Sequence, residues 1–252
     1  MSSISQIYVN TIAQNLKPYH ANWEPSSPVK LGDYGYLKDH IFVQVGNLAD
    51  LSINFTIRVN QDDSQKTFTS NNDLEIKFNP RIQSIEQLAD ASVEINFSKK
   101  GTVYFNILGC TTEFIENKNE VGRKIATLFF GEKWNIDFVV ITELIRADKS
   151  LIVVSARDNS SIKFELSETN ASVIDLSDVG LDLKIAYQKS IGFIVNCKRN
   201  LIPLFAFSKL QSKFPWNPKD FKAYWANQRN ETLERLLEEA SRSYEFASVA
   251  QK

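Results

Sequence analysis

Histidine is nearly missing from this 252-residue chain, which holds only His20 and His40. The two are not at the spacing of metal ligands and neither stands beside a cysteine, so no metal site is expected. Cysteine is as scarce. Cys110 and Cys197 are far apart and form no spaced pair, which points to a reducing compartment rather than a disulfide-stapled secreted fold. The nine glycines are dispersed singly, leaving no phosphate-cradling loop and no G-x-S-x-G nucleophile turn. No apolar run approaches the roughly 18 residues of a membrane-spanning helix. The first residues lack a basic stretch followed by an apolar core, which argues against a secretory leader and for a cytoplasmic location. The formal net charge is only −1, so nothing draws the chain as a whole to nucleic acid. Two carboxylate pairs, Asp62-Asp63 and Glu238-Glu239, lie in polar, solvent-facing settings that suit ordinary surface better than acid–base work. These shortages together predict a protein that is not an enzyme and takes no cofactor.

What the chain has is apolar periodicity. Residues 3 to 16 place Ile4, Ile7, Tyr8, Ile12 and Leu16 along one face of an amphipathic helix that Pro18 ends. A proline-bearing linker and a turn at Leu31 to Gly35 precede a short strand from Ile41 to Val45. From Leu51 to Val59 the chain alternates strictly, with Leu51, Ile53, Phe55, Ile57 and Val59 on one face. After a polar loop, Leu74, Ile76 and Phe78 alternate again, and Ile82 to Leu88 reads as a short helix. Val93, Ile95 and Phe97 then share a face, and Ser98-Lys99-Lys100-Gly101 reads as a hairpin turn into a strand from Thr102 to Leu108. The period switches to a helical one from Glu113 to Phe130, with Gly131 placed as its C-terminal cap.

Trp134 to Leu166 is the stretch around which the rest is organised. Phe138 to Ile141 is a β-branched run that reads as a buried strand. A second run, Leu151 to Val154, leads through Arg157 to Ser160 into an arm with Ile162, Phe164 and Leu166 on one side. Strands with Leu181, Leu183 and Ile185, then Ile191 to Cys197 and Leu201 to Phe207, follow. Asn217 and Pro218 open a last helix carrying Phe221, Trp225, Leu236, Leu237 and Tyr244 to about Ala247. The fold class expected is α+β: a twisted antiparallel sheet with an N-terminal amphipathic helix, a central helix and a C-terminal helix. Residues 1–212 form the body and 213–252 a helical C-terminal segment.

Two features bear on function. Between Asp158 and Asp182 there are six acidic residues and one lysine, whereas Leu183 to Lys219 holds seven lysines and arginines and no acid. Such a block either pairs with the acidic one or meets anionic headgroups, at roughly 1 kcal/mol per cation near a membrane surface. The alternating strands likewise have two readings. One face packs on a soluble core, or it faces lipid in a barrel whose strands need about 9–11 residues each.

The order of elements resembles the pore-forming domain of gasdermins: strand Val103 to Leu108, helix, short polar break, then Val140-Ile141-Thr142-Glu143 leading into a long amphipathic hairpin. That resemblance implies a soluble, stored protein which oligomerises on activation and inserts β-hairpins to permeabilise a membrane, in cell death or antiphage defence. It assigns insertion to Leu51, Ile53, Phe55, Ile57, Val93, Ile95, Phe97, Ile162, Phe164, Leu166, Leu183 and Ile185. It assigns contact with anionic lipid, at the inner face of the cell membrane, to Ile4, Ile7, Tyr8, Lys17, Lys198, Arg199, Lys209 and Lys213. The terminal helix (Phe221, Trp225, Leu236, Leu237, Tyr244) becomes an inhibitory segment, released by a protease or relieved by a partner protein. The alternative is a soluble, non-enzymatic binding or immunity module whose sheet never rearranges.

Overall fold

The structure is a computed structural model that describes residues 3–70, 73–79, 82–83, 88–89, 92–166, 183–197, 200–212 and 244–248. Its elements, in chain order, are α1 (Ile4–Asn15), β1 (His20–Ala21), β2 (Asp33–Lys38), β3 (Ile41–Asn47), a 3-10 turn (Leu48–Leu51), β4 (Ile57–Thr69), β5 (Leu74–Asn79), β6 (Ile82–Gln83) and β7 (Leu88–Ala89). Then come β8 (Ser92–Phe97), β9 (Val103–Ile115), α2 (Lys118–Phe130), β10 (Val139–Ser155), β11 (Ser160–Leu166), β12 (Leu183–Lys189), β13 (Ile191–Cys197), β14 (Leu201–Ser212) and β15 (Tyr244–Ser248). Among the described residues every strand pairing is antiparallel.

The 17-residue strand β10 is the spine. Its first half pairs with β14 on one side and briefly with β2 on the other. Further along, β13 and β9 take over those two sides. With β1 and β15 on β14, β3 on β2 and β4 on β9, nine described strands make one large sheet. A smaller sheet has the order β5-β8-β11-β12. β-Branched residues and the alternation of side chains explain how the spine serves two cores at once. Ile152 and Val154 pack with Val103, Phe105 and Ile107 against Tyr8, Val9 and Ile12 of α1. Their neighbours Leu151 and Val153 turn the other way, with Tyr104, against Val93, Ile95, Phe97, Ile162 and Phe164 of the small sheet. Helix α1, large sheet and small sheet therefore stack as three layers, while α2 packs Val121, Ile125 and Phe129 on the base of the spine.

Several sequence expectations change. The alternating run at Leu51 to Val59 is not one strand: Ser52 takes a left-handed conformation (φ 56°), and β4 starts only at Ile57. Ile53 is buried, and Phe55 packs on the same core with its ring over Gly32, where a Cβ would lie 2.6 Å away. The turn at Leu31 to Gly35 runs straight into strand β2. The central helix begins at Lys118 because Glu113 to Ile115 stay on β9, where Glu113 pairs with Arg146 of β10. The helix read at Ile82 to Leu88 is instead bounded by β6 and β7, which pair with each other. Tyr244 to Ala247, expected at the end of the last helix, lie instead in β15, where they pair with the edge of β14. Phe221, Trp225, Leu236 and Leu237 lie outside the described residues.

Candidate functional site

Serine-led polar breaks interrupt the alternating runs at four places: Ser70, Ser98 to Gly101, Ser155 to Asn159, and Ser190. At each of them the chain leaves one sheet and enters the other, so β4 leads to β5, β8 to β9, β10 to β11 and β12 to β13. The hairpins expected at 98–101 and 157–160 are thus not hairpins. Strand β8 pairs with β5 and β11, never with β9, and β11 pairs with β8 and β12, never with β10. The turns are corners, reached because each ribbon is too apolar on one face to leave that face in water.

The order of neighbours is the same on both sides of the corner. In the large sheet β4, β9, β10 and β13 lie side by side, and in the small sheet their continuations β5, β8, β11 and β12 do so in the same sequence. Backbone bonds carry the pairing through the bend. Ser70 N donates to Val103 O at 2.9 Å, Ser155 N to Thr102 O at 3.0 Å and Ala156 N to Ser190 O at 2.9 Å. Serine hydroxyls satisfy what the bend breaks. Ser70 Oγ accepts from Val103 N at 2.7 Å, while Ser155 Oγ accepts from Thr102 N at 3.0 Å and donates to Lys99 O at 2.7 Å. Ser160 Oγ lies 2.6 and 2.9 Å from the carbonyl oxygens of Arg157 and Ser190, sharing its one proton between them. Outside the corner, Lys99 pairs with Asp73 at 3.0 Å, and Lys100 N donates to Asp158 Oδ1 at 2.7 Å.

Register aligns one apolar face across the small sheet. Ile76, Ile95 and Ile162 form one row, and Phe78, Val93, Phe164 and Ile185 the next. Val93, Ile95, Phe97, Ile162 and Phe164 are buried against the large sheet, as the sequence suggests for a single apolar face. The edges are looser: Ile76 is 42% and Ile185 41% exposed, and Leu183 is half-buried. Leu166 pairs with Leu183 in the backbone ladder. Among the described residues β5 and β12 have a partner on one side only, as do β4 and β13. Leu51, Ile53 and Phe55 do not join this face, and Ile57 of β4 stands 53% exposed far down the large sheet, where it pairs with Ile115.

The residues assigned to lipid contact are scattered. Tyr8 is fully buried, and Ile4 and Ile7 are half-buried over Gly192 and Gly101, so α1 turns its apolar face to the sheet. Burial also raises the Tyr8 hydroxyl's pKa well above the ordinary tyrosine value. Lys17 is exposed beyond α1, and Lys209 is half-buried on β14 between β10 and β15. Lys198, Arg199 and Lys213 lie outside the described residues. Thr142 and Glu143 are structural: Thr142 Oγ1 and Ser208 Oγ share a buried bond of 2.9 Å, and Tyr19 donates to Glu143 at 2.6 Å.

Strand β15 carries no alternating signal of its own beyond Tyr244 and Phe246. Phe246 sits directly on Gly122 of α2, where a Cβ would come within 2.5 Å of the Phe246 Cβ. The C-terminal segment is thereby tied both to the β14 edge and to α2. Among the described residues no cluster of three or more His, Cys, Asp or Glu is arranged to hold a metal ion. No helix among them is long and apolar enough to cross a membrane, which leaves strands aside. Compared with known proteins, the chain matches no family model and no curated protein.

Proposed function

We propose that the chain is a pore-forming protein of the gasdermin kind, stored folded and activated to assemble in a membrane. The observation that carries this reading is the conserved order of neighbours across the corner. Straightening four bent ribbons changes an angle and breaks few pairings, because each ribbon already lies beside the same partner above and below the bend. Two long hairpins result, one from β4–β5 with β8–β9 and one from β10–β11 with β12–β13.

Length favours the same reading. Strands β12 and β13 have seven residues each, short of the 9–11 that a tilted membrane strand requires. End to end they run from Leu183 to Cys197, which is long enough. On opening, the face now buried between the sheets meets lipid, and the outer face with Glu75, Lys77, Glu94, Lys163 and Lys184 meets water. Helix α1 stays on the large sheet, covering Val103, Phe105, Ile152 and Val154. Fully burying a large apolar side chain contributes about 1.5–3 kcal/mol, so Tyr8, Val9 and Ile12, with a small addition from Ala13, hold α1 by roughly 5–9 kcal/mol at most. Contact of its apolar face with lipid would therefore follow insertion and not precede it. Open sheet edges cannot stand in hydrocarbon, so several copies must close the barrel.

The C-terminal segment is the restraint in this reading, through β15 rather than through a helix alone. Vesicles containing anionic lipid and loaded with dye provide the test, with the full chain and residues 1–212 compared. Leakage from 1–212 and quiescence of the full chain are expected. No leakage from either, together with harmless expression of 1–212 in bacteria, would favour the soluble binding module.

A further inference from the structure

Between α1, β1 and the start of β3 lies a cavity of about 260 Å³, on the large sheet but away from the corner. Val9 of α1, Ala21, Trp23, Val29, Ile41, Phe42 and Phe205 give it apolar walls. Trp23 is held in place by stacking on Phe193, with ring centroids 4.4 Å apart. One wall is different. Asn22 is 94% buried, its backbone N–H is used by Pro203 O at 2.9 Å, and its side-chain Nδ2 has no hydrogen-bond partner. A buried amide donor left unpaired is costly, and nothing in the packing of an apolar wall calls for asparagine there.

We propose that this cavity is a binding site for a small neutral acyl compound, whose carbonyl oxygen accepts from Asn22 Nδ2 and whose short alkyl chain fills the apolar walls. The chemistry narrows the class. The unpaired group is a donor, so the ligand must bring an acceptor. Glu24 also lines the cavity and is exposed and anionic, so a carboxylate ligand is disfavoured and a neutral amide, ester or ketone suits better. The volume falls just below the roughly 300–1,000 Å³ of drug-sized pockets, which limits the chain to a short one. Because Val9 belongs to α1, an occupant would add to the contacts holding that helix on the sheet. The site stands whether or not the sheet straightens, since it uses none of the corner residues.

Hexanamide is the probe, titrated into the full chain in lipid-free buffer by calorimetry and by amide chemical shifts. Saturable one-to-one binding is expected, with shifts centred on Val9, Ala21 and Ile41 and with hexane bound about fivefold to tenfold more weakly. Asn22→Leu should remove the preference for hexanamide over hexane, and Val29→Phe should fill the cavity and remove both. Absence of saturable binding by the wild-type chain, shifts centred elsewhere, or equal affinity for hexane would each overturn the proposal without any variant. So would an Asn22→Leu chain that keeps the preference.

Discussion

His20 faces Phe207 at 4.9 Å and stacks over His40 at 5.8 Å, almost wholly out of water. Burial, and secondarily the charge of His40, lowers its pKa from 6.5 to about 4. The folded value lies below the unfolded one, so the neutral ring stabilises the fold fully above about pH 6.5. That contribution is lost as the pH falls toward 4. One pKa unit corresponds to about 1.4 kcal/mol, so the loss is on the order of 3 kcal/mol. Urea unfolding at pH 7.5 and 4.5 measures it, and His20→Phe should flatten the difference between the two pH values. An unchanged difference would show that other groups carry the acid sensitivity. Residue-level signals in the sequence were local and only partly sufficient. Gly131 does end α2, yet its φ is −80°, and the left-handed position falls to Glu132 at φ 60°. Lys133 N then closes the turn on Leu128 O at 2.9 Å. Gly131 is thus the cap as expected, and the left-handed residue follows it where the chain turns toward Trp134.

At the scale of elements, alternation identified most of the ribbons but not the sheets they join. Periodicity is a property of neighbouring residues, whereas pairing is non-local, and a serine-led break looks the same at a hairpin and at a corner. The repeat of that break in each ribbon, from Ser70 to Ser190, was the available signal. The fold also changes which substitutions are informative. Ile162 and Phe164 are fully buried, so aspartate there would unfold the core whatever the function. Ile185 is 41% exposed on the apolar face of β12, and Ile76 is 42% exposed on the same face of β5, one row away. Ile185→Asp and Ile76→Asp should leave the melting temperature within a few degrees of wild type. In the 1–212 chain each should reduce leakage at least tenfold, since a carboxylate facing lipid is unfavourable in every copy of the barrel and the costs add over the copies. Full leakage from a folded Ile185→Asp chain would mean that β12 does not enter lipid.

Among the described residues the bent ribbons present two unlike edges, β4–β5 on one side and β12–β13 on the other. β4 and β5 run opposite in direction to β13 and β12, because two ribbons lie between the first and the last and every neighbouring pair is antiparallel. A second copy can therefore add its first ribbon to the last ribbon of its neighbour and keep the sheet antiparallel throughout. Such a contact is head-to-tail, so assembly does not stop at two and ends only when a ring closes. In the structure the exposed rims carry charge, with Lys184 and Lys189 on β12 and Glu75 and Lys77 on β5, which opposes edge pairing in water. Chemical cross-linking of 1–212 on vesicles should give a ladder that continues past the dimer, and electron microscopy should show closed rings. Leakage should rise more steeply than the first power of protein concentration. A population limited to dimers on lipid would sink the head-to-tail arrangement, because two unlike edges paired in that way always leave one of each kind free.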